Sequence, residues 1–163
     1  MAEALHDFSA AAQDLITVNR DAEQGFRAAA DAVPETTLKR MLIELSSQRA
    51  GFAAEIQKAV RDVGFEPPNP LGTAGTLRGV WIALKGAVLA NKAHAVLVEA
   101  ERGEDESLRT YRAALAMILQ PELRGIVERQ LAAIQESHVR IRTMRDQTAP
   151  LPPAPEPEGA VKQ

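Results

Sequence analysis

Two short proline breaks, Pro34-Glu35 and Gln120-Pro121-Glu122, each separate two long runs whose apolar residues recur every three or four positions. Proline has no N–H to lose in the first turn of a helix, and a glutamate there favours the positive end of the helix dipole. Each break therefore ends one helix and starts the next. A connection so short turns the second helix back along the first, so each pair of runs is expected to form an antiparallel hairpin.

The first run carries Phe8, Ala12, Leu15, Ala22, Phe26, Ala29 and Val33 on one face, with Asn19 as the one gap,. Glu23 flanks the same seam. The second reads Leu38, Met41, Leu45, Gln48, Phe52, Ile56, Ala59 and Val63, turns polar at Gln48-Arg49, and closes at Gly64, where left-handed caps favour glycine,. The third, with Asn91 as its expected N-cap, has Leu97, Ala100, Glu104, Leu108, Tyr111, Leu115 and Ile118; the fourth has Leu123, Val127, Leu131, Ile134, His138 and Ile141,. A composition 45% hydrophobic but only 4% aromatic suits such closely packed helices better than strands,.

About 27 residues lie between the second and third runs, against only a few at each proline break,. They begin with Phe65-Glu66-Pro67-Pro68-Asn69-Pro70-Leu71-Gly72, which suits neither helix nor central strand,. A short amphipathic piece follows, with Leu77, Val80, Trp81, Leu84 and Val88 on one side and Arg78 and Lys85 outside it. Helices of about 25 to 29 residues run roughly 40 Å, and this connection is long enough to travel that distance. The expected architecture is an all-α four-helix bundle over residues 1–147, with helices two and three parallel and a crossover carrying a short helix between them. From Thr148 the proline-rich tail, 148–163, is expected to be extended and disordered,.

Counting from each tight turn places Glu23, Arg49, Glu104 and His138 within a few helical turns of mid-bundle,. With Asn19, Gln48, Glu101 and Gln135 nearby, a buried polar layer is expected. Carboxylates in such a layer need a compensating charge, either a metal ion or an arginine. Tyr111 is expected in the core with its hydroxyl on a polar neighbour, while Glu99, Asp105 and Glu106 fall on a wet face.

The run Glu101-Arg102-Gly103-Glu104-Asp105 followed by Tyr111, together with Gln135-Glu136-Ser137-His138, resembles the corresponding helices of ferritin-like proteins, especially rubrerythrin. More closely, residues 5–146 resemble an uncharacterised bacterial family of ferritin-like four-helix bundles, domain of unknown function 2383. That likeness rests on Glu23-Gln24-Gly25-Phe26-Arg27-Ala28-Ala29-Ala30, Gln48-Arg49-Ala50, Glu101-Arg102-Gly103-Glu104-Asp105 and Val127-Glu128-Arg129-Gln130. The resemblance implies a di-iron site built from one Glu on each of two helices and a Glu-x-x-His on each of the other two. Glu23, Glu104 and His138 match three of those six ligands. Gln135 replaces a glutamate, and Ser46-Ser47-Gln48-Arg49 replaces a whole Glu-x-x-His.

The leading expectation is therefore a ferritin-like bundle without a cofactor, in which Arg49 neutralises buried acids. The alternative is a metal site on Glu23, Glu104 and His138, suited to iron or manganese, in a redox or iron-handling protein resembling rubrerythrin or bacterioferritin. No Ser-His-Asp set, phosphate loop or dinucleotide fingerprint argues for an enzyme,. With 22 acidic and 19 basic residues, the net charge of -3 disfavours nucleic acid as a partner,. No run of about 18 apolar residues calls for a membrane. The absence of cysteine excludes disulfides and thiolate chemistry, and the lack of an export signal points to the cytoplasm,. A homo-oligomer is compatible with all of this, and no protein partner is specified.

Overall fold

The computed structural model describes residues 2–67, 93–117 and 119–149, with side chains from Asp7 onward. Four helices account for nearly all of them: α1 (Ala2–Ala32), α2 (Thr36–Asp62), α3 (Ala93–Ala116) and α4 (Pro121–Thr148). No strand occurs among the described residues. The expected crossover helix, the Asn91 cap and the tail from 150 onward lie outside them.

The helix ends follow from local chemistry. Glu35 is the N-cap of α2, its carboxylate accepting from the Thr37 N–H at 2.8 Å and the Leu38 N–H at 2.5 Å. Those two bonds, led by the one from Leu38, hold the Glu35 carboxyl below its ordinary range,. Gly64 closes α2 at φ 84°, a left-handed conformation in which a side chain would be strained,. At α4, Gln120 is the N-cap and Pro121 follows in the first turn, where its missing N–H costs nothing,.

α1 packs on α2 and α3, and α4 on α3 and α2, so the contacts form a ring with α2 and α3 on one diagonal. Phe8 and Leu15 of α1 share a cluster with Ile56 and Val60 of α2, Leu108 and Ala114 of α3, and Leu123 and Val127 of α4. Phe26 and Val33 meet Leu38, Met41, Leu45, Val96, Leu97 and Ile141 in a second cluster. Neighbouring helices are thus antiparallel, and α2 and α3 are parallel. Each buried Leu or Ile in these clusters contributes about 1.5–3 kcal/mol. Between the clusters, every helix places a polar side chain on its inner face.

Candidate functional site

Arg49 sits between the two apolar clusters on α2, and Glu104 faces it from α3 across the diagonal; both side chains are 0% exposed. Arg49 Nη2 donates to Glu104 Oε1 at 2.6 Å and Oε2 at 2.8 Å. It also donates to Ser137 Oγ of α4 at 3.0 Å. Ser137 Oγ lies 2.7 Å from Glu104 Oε2 and 2.9 Å from the Ile134 carbonyl, and its one proton favours the charged acceptor,. Burial pushes the Glu104 carboxyl above its usual range; the Arg49 charge and the Ser137 and Arg49 hydrogen bonds pull it partly back,. The guanidinium also has aromatic company, with its carbon 6.0 Å from the Phe26 ring centre and 5.6 Å from that of Phe52,. All four helices therefore supply a contact to one buried cation. Among the described residues, its Nε and Nη1 have no hydrogen-bond partner.

A second polar layer, uncharged at its centre, crosses the bundle beside the first. Asn19 Nδ2 donates to the Leu15 carbonyl at 2.8 Å and to the Tyr111 hydroxyl at 2.6 Å. That hydroxyl donates to Gln130 Oε1 at 2.6 Å, and Gln130 Nε2 donates to Glu55 Oε2 at 2.7 Å. Glu55 then pairs with Arg129 at the surface. Desolvation raises the Tyr111 pKa, so the phenol stays protonated and remains a donor,.

The other expected site residues are dispersed. Glu23 is partly exposed and pairs with Arg20 on its own helix at 2.8 Å, while its backbone carbonyl accepts from Ser46 Oγ. His138 lies at the α3/α4 edge, 18% exposed, with Nε2 2.9 Å from Asp105 Oδ1 and 4.0 Å from Glu101 Oε1. Glu101 pairs with Arg145. Of the expected polar layer, Asn19 and Arg49 are buried, and Gln48 and Glu101 are partly buried. Gln135 is exposed, which corrects its expected burial: it stands one residue past the inward-facing Ile134 and so points about 100° away,. Among the described residues, no group of three or more His, Asp or Glu side chains is arranged to hold a metal ion.

Three participants were missed from the sequence: Ser137, Gln130 and Glu55. Ser137 and Gln130 do carry a signal. The inward positions of α4 are Leu123, Val127, Gln130, Ile134, Ser137 and Ile141, an unbroken alternation of four and three. Choosing the more apolar neighbour Leu131, and the chemically conspicuous His138, puts two steps of four in succession after Leu123 and so breaks that alternation.

Fold and site together define an all-α bundle with a charge-balanced interior. The chain belongs to the family described as Domain of unknown function (DUF2383), which matches residues 7–117. That span holds Asn19, Arg49, Glu104 and Tyr111 but stops before α4, short of the 5–146 expected from the resemblance. No curated protein matches the chain. No described helix is long and apolar enough to cross a membrane.

Proposed function

We propose that this chain is a non-enzymatic, ferritin-like helical bundle, acting in the cytoplasm through its outer faces or as a homo-oligomer, with an ion pair where ferritin-like proteins hold two irons. The observation that carries this reading is Arg49 Nη2 within 2.8 Å of both oxygens of Glu104 in a fully buried layer. A di-iron centre needs that carboxylate for the metals and leaves no room for a fixed positive charge beside them. The residues present do not fit such a centre. The reading with iron or manganese on Glu23, Glu104 and His138 requires three side chains to converge that are separately engaged by Arg20, Arg49 and Asp105.

The test is elemental analysis of protein purified without chelator, followed by thermal melts with added iron(II) or manganese(II). A resident site raises stability by about 2.7 kcal/mol at a hundredfold excess over its dissociation constant. The expected result is substoichiometric metal and an unchanged Tm. Stoichiometric iron or manganese that is lost in Glu104→Ala overturns the proposal.

A further inference from the structure

Two Arg–Glu pairs stand at the surface between α2 and α4: Arg140 with Glu44 at 3.4 Å, and Arg129 with Glu55. Their side chains are 38–63% exposed, whereas those of Arg145 and Glu101, which join α4 to α3, are at most 27% exposed. On each helix three turns separate the two charges, so the pairs lie about 16 Å apart along one face,. Between them that face is small: Ser47 and Gly51 on α2, Ala132 and partly buried Ala133 on α4, with Glu136 beside them. The two backbones are also less closely packed here than at the other three seams of the bundle.

This charge pattern selects a partner and a geometry. A second copy related by a two-fold axis across the helices would lay α2 on α2 and α4 on α4. Glu44 would then meet the partner's Glu55, and Arg129 the partner's Arg140, so like charges oppose at both levels. A two-fold axis along the helices instead lays α2 on α4 at equal height. Glu44 then meets the partner's Arg140 and Glu55 the partner's Arg129, and each surface pair becomes a ring of four alternating charges. Gly51 comes level with the partner's Ala133 and beside its Ala132, where small side chains let helices approach closely. A face about 40 Å long and about 20 Å wide offers roughly 800 Å² per copy, the size of a standard protein interface.

We propose that the α2/α4 face binds a second copy of this chain about a two-fold axis parallel to the helices, through two four-charge rings around a centre of small side chains. The rings stay hydrated, as polar interfaces do. This deepens the homo-oligomer reading above and rests on it, while the metal content of the interior does not enter.

The chain has no cysteine, so single cysteines report the geometry. Gly51→Cys protein is mixed with Ala132→Cys protein and oxidised. A mixed disulfide in excess over either self-disulfide is the expected result. A predominant Gly51→Cys self-disulfide, or no disulfide, overturns the proposal. Sedimentation equilibrium then reads the affinity. Association carried by charge is expected to weaken about tenfold between about 50 mM and about 500 mM NaCl, and a dissociation constant unmoved by salt overturns the proposal. A Cβ added at Gly51 meets nothing within 4 Å, so its own chain accommodates Gly51→Glu. That carboxylate faces the partner's Glu136 and is expected to weaken association about tenfold. An unchanged constant, or a wild-type chain monomeric up to about 1 mM, overturns the proposal. Failure here removes the homo-oligomer alone, whereas stoichiometric metal removes the reading of the interior alone.

Discussion

The two polar layers of this bundle solve the same problem in opposite ways. The Arg49–Glu104–Ser137 layer is closed: its charges are matched inside the protein and neither ionic side chain reaches solvent. The Asn19–Tyr111–Gln130 layer is open: each neutral group passes its hydrogen bond onward until Glu55 and Arg129 meet water. A neutral relay can end in a mobile surface pair at little cost, because no member carries a charge that burial penalises. A buried charge has no such outlet, so its partner must come from elsewhere in the fold. The difference teaches that the first layer ties its members together pairwise, whereas the second tolerates loss at its outer end.

The sharpest way to break the comparison is Arg49→Met, which leaves Glu104 without its cation. The expected cost is roughly 3–5 kcal/mol at pH 7 by denaturant unfolding. Glu104 already has a raised folded pKa, and removing Arg49 raises it further. An acid whose folded pKa exceeds its unfolded value loses stability as pH rises through that window, so the variant should be markedly less stable at pH 8 than near pH 4.5. Arg49→Met/Glu104→Leu should recover most of the loss, because an apolar replacement of the whole pair needs no partner. A double variant no more stable than the single one would show that the layer's worth lies in shape rather than charge.

Tyr111→Phe probes the open layer and is expected to cost roughly 1–2 kcal/mol, since Gln130 Oε1 loses its donor while Asn19 keeps the Leu15 carbonyl,. A loss matching that of Arg49→Met would erase the distinction drawn between the layers. The smallest effect is expected at Asp21, whose carboxyl burial pushes up to about 6 from 3.8. Its ionisation therefore costs stability as pH rises across that interval. Asp21→Asn should gain at most about 1 kcal/mol at pH 7, after allowance for solvent screening, and nothing below pH 3.8,. Parallel pH–stability curves for the two proteins would refute this.

The four rods, their hairpin pairing and the parallel relation of α2 and α3 were legible because proline breaks, connection lengths and apolar spacing all act locally. On α1 the reading found Phe8, Ala12, Leu15, Asn19, Phe26, Ala29 and Val33 on the inner face but missed Ala11, Ile16, Val18 and Ala30, because a helix packed against two neighbours buries a wider face than one stripe,. α4 was harder. Its inner positions include Gln130 and Ser137, each beside a residue with a stronger claim by type, and only the regularity of the spacing betrays them. Arg49 and Glu104 were legible as charges in apolar stripes. That Glu23 stays with Arg20 was not, because Glu23 flanks the inward positions Asn19 and Phe26 rather than sharing them, and at the partly exposed rim Arg20, three residues back on the same helix, is within its reach,.

The opposed charges of the closed layer belong to different hairpins: Arg49 to α1–α2, Glu104 with Ser137 to α3–α4. Either hairpin folded against a copy of itself would set two like charges at one level in a dry interior, a repulsion that neither Phe26 nor Phe52 can relieve. The layer thus acts as a lock and key between the halves of the chain. It lets each half distinguish its complement from its own twin during folding, when both are exposed.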